Sequence, residues 1–295
     1  MTGMTDYVSD AVLNHVTGTK QIFARPSVYL ALFNAVGLDD GTGFTEVSGG
    51  AYARQQLAGG VATNGATAGG NNTLNFASTP AWILPGMFIT DETTGGVIPG
   101  GTTVLSTTGT TVVMSANASG GGVLNGDTIV FSAWNLASGS APSMISNNID
   151  ISFPQATTDW GTVLGWGLFD DPTAGHLLSW DYLGSFDWMP CTVTADSPAT
   201  VTSPAHSMVA GNSFVFNTEY GGTAPVFSAS NFTGILTVTA PVTADDFTVT
   251  NGVTAVNTSA SGDGLIRRVT PQAIPSGITA TFVGGVPGVL ALLGA

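Results

Sequence analysis

From Pro26 onward this chain is built of short apolar runs, each closed by glycine, proline or asparagine, with no later run at helical intervals to match the first. Runs of that kind form strands, because Val, Thr and Ile favour a pleated backbone and glycine supplies turns that need positive φ. Asp6 to Val16 reads differently. There Tyr7, Val8, Ala11, Val12 and Val16 recur at three- and four-residue spacing, with Thr5 ahead of them as an N-cap and Gly18 behind as a stop. The pattern predicts an all-β protein with one short N-terminal helix. Nowhere does a heptad repeat appear, so a coiled-coil shaft is not expected.

Charge narrows the partners. Charged residues make up 8% of the chain and hydrophobic residues 43%, which leaves an isolated monomer little charge with which to cover its surface. Much of that surface is therefore expected to be covered by other protein. Nineteen acids oppose five bases, Lys20, Arg25, Arg54, Arg267 and Arg268, for a net charge of −14. Such a field repels phosphate backbones, so nucleic acid is not an expected partner. The polar start Met1 to Asp6 lacks a secretory leader, and the apolar stretch Gly284 to Ala295 is short and broken by glycine. No membrane partner is expected, and synthesis without Sec export is. The single Cys191 lies in the apolar run Trp188 to Val193 and reads as a buried, inert thiol.

The strand candidates fall into groups. Ser27 to Phe33 is apolar enough to be buried on both faces, residues 45 to 54 form a polar turn entering a strand, and Gly59 to Asn72 reads as an irregular loop. Between 78 and 131, Gly86–Thr90, Thr102–Leu105, Thr111–Met114 and Asp127–Phe131 suggest an inserted small β module. Ile149–Pro154, Asp159–Asp170, Leu177–Tyr182 and Ser213–Phe216 follow. In the second of these, glycine alternates with large apolar residues as in a strand approached closely by another backbone. A last group, Gly234–Thr239, Phe247–Thr250 with Asn251-Gly252, and Gly277–Val283, reads as a small sandwich. The expected domains are a β-sandwich or barrel from residues 1–77 plus 132–222, an inserted module at 78–131, and a C-terminal module at 223–295.

Several of these segments, in this order, resemble a family of small phage virion proteins usually labelled tail fibre proteins. They are Asp6-Tyr7-Val8-Ser9-Asp10 through His15, Pro26 to Phe33, Glu46 to Arg54, Ile151 to Pro154, and Asp159 to Val163. Residues 78–131 are extra to that resemblance. It implies a structural part on the outer surface of a virion, made in the host cytoplasm. The stretch from Val242 through Arg268-Val269-Thr270-Pro271 to Ile278–Thr281 resembles a bacterial immunoglobulin-like repeat, which implies a C-terminal immunoglobulin-like sandwich.

Residues suited to chemistry do not converge. His15, His176 and His206 have no metal-ligand spacing, and the pairs Asp39-Asp40, Asp170-Asp171 and Asp245-Asp246 suit turn capping better than calcium binding or glycoside hydrolysis. No nucleophile elbow, phosphate loop or dinucleotide fingerprint is present. Neither an enzyme nor a cofactor nor a metal is expected. Four of six tryptophans fall within 160–188, where filling a core or an intersubunit seam is favoured over stacking on sugar. Tyr52, Arg54, Trp160 and Trp166 are accordingly the candidate interface residues, with Arg54 in an intermodule or intersubunit ion pair. Expected partners are further copies of the chain in a trimer, the major capsid protein or tail and neck proteins, and a host-surface glycan. The role weighed first is capsid decoration or cement; the alternative is a short tail or head fibre.

Overall fold

The computed structural model describes residues 3–17, 27–135, 137, 143–184, 188–194, 198–218, 234–249, 262–285 and 291–294. Gly18, Lys20, Arg25 and the Asn251-Gly252 turn lie outside them. The chain is all-β with one short helix, α1 (Asp6–Val16), and divides into two units. Unit 1 comprises residues 1–161, 166–181 and 274–295; unit 2 comprises 162–165 and 182–273.

Unit 1 is organised on a sheet of eight strands among the described residues. Its order is Gly3–Met4, Leu177–Tyr182, Gly165–Phe169, Val28–Ala35, Gln55–Ala62, Thr128–Ser132 and Phe88–Asp91, with Thr45–Glu46 also pairing with Val28–Ala35. The apolar run predicted to be buried on both faces is so: Leu30, Ala31, Leu32 and Phe33 are all enclosed. Strands from residues 78–131 divide between two sheets. Phe88–Asp91 and Thr128–Ser132 continue the large sheet past Gln55–Ala62, whereas Val104–Thr107 and Thr111–Met114 join Thr73–Asn75 in a three-stranded sheet.

Two local readings are corrected. Gly59 and Gly60 belong to a strand, not to an irregular loop, and pair with Phe131 and Val130. Glycine is weak in strands, but a Cβ on Gly60 would come 2.8 Å from Thr128 Cγ2 and one on Gly59 2.5 Å from Gln56 Nε2. The second correction concerns Gly167, which makes room for side chains rather than for another backbone. A Cβ there would lie 2.5 Å from Phe33 Cε2 and 2.7 Å from Leu177 Cδ1.

Unit 2 contains a seven-stranded antiparallel sheet in the order Leu236–Thr237, Ser213–Asn217, Gly262–Val269, Met189–Val193, Ala199–Thr202, Asp246–Val249 and Thr239–Val242. Its first and last strands are separated in sequence by Val238 alone. In a flat sheet six interstrand gaps would hold those edges roughly 29 Å apart, but Thr237 and Thr239 can be at most about 7 Å apart. The sheet must therefore curl back on itself like a barrel. Its interior is filled by Val193, Val201, Phe214, Phe247, Val249 and Ile266, with Phe214 and Phe247 edge to face at 5.1 Å. Strands of the segment 236–269 thus share one sheet and one core with strands of 189–217.

Candidate functional site

The best-built polar cluster grows from the turn that links Thr45–Glu46 to Gln55–Ala62. Gly49, Gly50 and Ala51 all take positive φ. Gly50 has no substitute there, because a Cβ would run into the Thr158 side chain and lie 2.9 Å from its backbone nitrogen. The Gly50 carbonyl accepts from the Thr157 N–H at 2.9 Å and from Trp160 Nε1 at 3.0 Å, which fastens the turn to residues 157–160.

That turn delivers Tyr52 and Arg54 to one carboxylate. Glu46 Oε1 accepts from Arg54 Nε at 2.9 Å and Oε2 from Nη2 at 2.7 Å, a parallel two-bond grip, while the Tyr52 hydroxyl donates to Oε1 at 2.9 Å. The same hydroxyl accepts the Leu32 N–H at 2.9 Å, so the network is rooted in the central strand. Burial, ahead of every other cause, pushes the Tyr52 phenol far above its ordinary range.

Arg54 reaches further. Its Nη1 donates to the carbonyls of Asp171 and Ala174, at 2.8 and 2.7 Å, and its guanidinium lies 3.5 Å from the Phe169 ring centroid. Asp171 holds this receiving loop in shape by accepting the Thr173 and Ala174 N–H groups, which also lower its pKa. Alongside, Asp170 accepts the His176 N–H at 2.6 Å, and the His176 ring stacks on Tyr7 at 4.1 Å. A cleft of about 220 Å³ opens between Tyr7, Phe44, Phe169 and His176.

Three of the four sequence-predicted residues come together. Tyr52 meets Trp160 edge to face at 5.4 Å and shares Glu46 with Arg54, whereas Trp166 is placed elsewhere in unit 1, buried. Trp160 is 3% exposed and the Arg54 side chain 8%, so in the single chain their surfaces are already spent on internal contacts. The ion pair that involves Arg54 is made within unit 1. Glu46 was the missed partner; it lies in the same stretch, 46–54, that singled out Arg54. The Asp171 and Ala174 carbonyls left no sequence signal. Among the described residues no three His, Cys, Asp or Glu side chains gather as a metal site, and no helix is long and apolar enough to cross a membrane.

Unlike the Arg54 cluster, α1 is exposed. None of its residues is buried; Val12, Leu13 and Val16 are respectively 36%, 62% and 77% exposed. Thr5 occupies the N-cap position but spends its hydroxyl on the Leu177 carbonyl at 2.6 Å instead of capping the helix.

A family model described as podophage GP4 fiber I protein gp80 matches residues 3–139 and, in a second overlapping match, 105–187, together well over half of the chain. The chain belongs to this family. As a gp80-family fibre protein it is a structural component of a phage particle, and the description supports a fibre role over capsid decoration. The matched residues include α1, the Glu46–Tyr52–Arg54 cluster and the loop that Arg54 grips, and they stop before the first strand of the barrel-like sheet. No curated protein and no solved structure matches the chain.

Proposed function

We propose that this chain is a non-enzymatic structural subunit of a short podophage fibre on the outer surface of the virion, and that copies of it assemble through α1. The observation that carries the reading is the exposure of the helix. Eleven residues are too few for a stable isolated helix in water, and although Tyr7 stacks on His176, none of the helix residues is buried in its own chain. Val12 and Val16 stand one turn apart with Leu13 beside them, forming a neutral ridge that faces outward. Every copy brings the same ridge, so a symmetric oligomer covers all of them at once, and an uncharged seam avoids the repulsion expected between chains of net charge −14.

Light scattering after gel filtration tests this directly. The expected mass is that of an oligomer, a trimer on the sequence reading, and Leu13→Asp with Val16→Asp should reduce it to a monomer while preserving the β-sheet spectrum. A wild-type monomer at high concentration would overturn assembly through α1. Cryo-electron microscopy of intact particles tests the location: copies in a fibre support the proposal, and copies ordered over the capsid shell overturn it.

A further inference from the structure

Two buried aspartates stand at the ends of neighbouring strands of unit 1. Asp91 ends the strand Phe88–Asp91, Asp127 directly precedes the strand Thr128–Ser132, and these strands are paired. Asp91 is 5% exposed and Asp127 3%. Each spends one oxygen on the backbone. Asp91 Oδ1 accepts the N–H groups of Thr93 and Thr94, both at 2.9 Å, and Asp127 Oδ2 accepts that of Leu124 at 2.7 Å. Asp91 Oδ2 is shut off from solvent and has no hydrogen-bond donor, and the register that sets Asp91 opposite Ile129 puts Asp127 two residues before that partner, diagonal to Asp91 on the same face.

What could sit between them is limited by space. A buried carboxylate oxygen with no donor is a costly arrangement, and a second carboxylate on the neighbouring strand makes its charged form costlier still. Calcium would need six or more oxygens at about 2.3–2.6 Å. No third acidic, His or Cys side chain joins the pair among the described residues, and no water-sized opening touches Asp91 Oδ2. The remaining cation small enough is a proton.

We propose that in the folded protein Asp91 keeps its proton above the pH at which a free aspartate releases it, the hydroxyl on Oδ2 donating to the Asp127 carboxylate, so that the pairing of strands 88–91 and 128–132 is tightest at acid pH and loosens as pH rises. The elements around Asp91 are its own turn 92–94, the turn 124–127 and the strand Thr128–Ser132. Their titratable side chains are Asp127 and Glu92, the latter exposed. Burial raises the Asp91 pKa most strongly and the Asp127 charge adds to it, against the opposing pull of the Thr94 and Thr93 N–H groups. An unfolded aspartate titrates near ~3.9. Because the folded value lies higher, the native state keeps a proton that the unfolded chain has released. The stabilisation is complete below the unfolded value and is lost as pH rises through the folded one.

The test is Asp91→Asn in the full-length protein. The amide keeps Oδ1 for Thr93 and Thr94 and fixes a donor toward Asp127 at every pH. Thermal melts from pH 4 to pH 9 should show the variant close to wild type at the acid end and melting several degrees higher at the alkaline end. Parallel curves, or a variant lower by the same amount throughout, would overturn the proposal. A second measurement does not depend on the variant folding. Infrared spectra of wild-type protein labelled with ¹³C at the aspartate carboxyls should show, as pH is raised from 4, one protonated-acid carbonyl band that outlasts those of the unfolded chain, and the absence of such a band would equally overturn the buried proton.

Discussion

The Arg54 guanidinium holds the Glu46 carboxylate by two parallel hydrogen bonds, of 2.9 and 2.7 Å, and uses its other side to hold two carbonyls more than a hundred residues along the chain. Four of its five N–H donors are engaged while the side chain is almost wholly buried. Truncation would leave Glu46 with the Tyr52 hydroxyl alone and take the Arg54 donor from both carbonyls. Arg54→Ala is expected to destabilise the protein by about 2 kcal/mol, less than the roughly 3–5 kcal/mol of a fully buried broken pair because Glu46 retains some water. Arg54→Lys should recover only part of this, since an ammonium cannot reproduce the fork. Urea unfolding followed by tryptophan fluorescence measures both; an unchanged midpoint for Arg54→Ala would show that the cluster carries no stability.

Gly167 is a second mechanical point in the same unit. Its missing side chain is where Phe33 and Leu177 pack, and both of those residues are buried. Gly167→Ala should cost about 1–3 kcal/mol through overpacking. Gly109, with open space where a Cβ would stand and no positive φ, is the control. Gly109→Ala should be neutral or slightly stabilising, because it restricts only the unfolded chain. Equal melting temperatures for the two variants would refute the packing argument.

What could be read from sequence was what neighbours along the chain decide. The helix is legible in Tyr7, Val8, Ala11, Val12 and Val16 because its periodicity is local, and most strands are legible for the same reason. Which way that helix faces is not legible, since an apolar stripe looks the same whether its own chain or another covers it. The strand through Gly59 and Gly60 was hidden because the closeness of Thr128 to Gly60 appears only after pairing. Of the candidate site, Tyr52 and Arg54 stood out, but the carbonyls of Asp171 and Ala174 carry no side-chain signature. Asp91 and Asp127 were also invisible as a pair: adjacent acids attract notice, and these are brought together only by strand register.

Cys191 lies in the core of the barrel-like sheet, 6% exposed, and burial pushes its thiol up to about 12, with the nearby Asp263 acting in the same direction. Thiolate is the reactive form, so the folded protein should resist thiol reagents at pH 8. Labelling by Ellman's reagent should appear only after denaturation. Rapid modification of native protein would mean that this part of the barrel opens readily.

The Tyr52 hydroxyl closes the cluster by accepting the Leu32 N–H and donating to Glu46. Tyr52→Phe leaves that N–H buried without a partner and should cost about 1–2 kcal/mol. The hydroxyl also sets an alkaline limit. An unfolded tyrosine ionises near ~10, whereas burial raises the folded Tyr52 well above this, so from pH 10 upward the unfolded chain releases a proton that the native state holds. The contribution is therefore complete below about pH 10 and falls as pH climbs through the interval between the two values. Stability measured by urea unfolding at pH 8, 10 and 11 should decline more steeply for wild type than for Tyr52→Phe, because the phenylalanine variant lacks this linkage. Identical slopes would place the Tyr52 hydroxyl in contact with solvent and break the chain of contacts from Leu32 to Arg54.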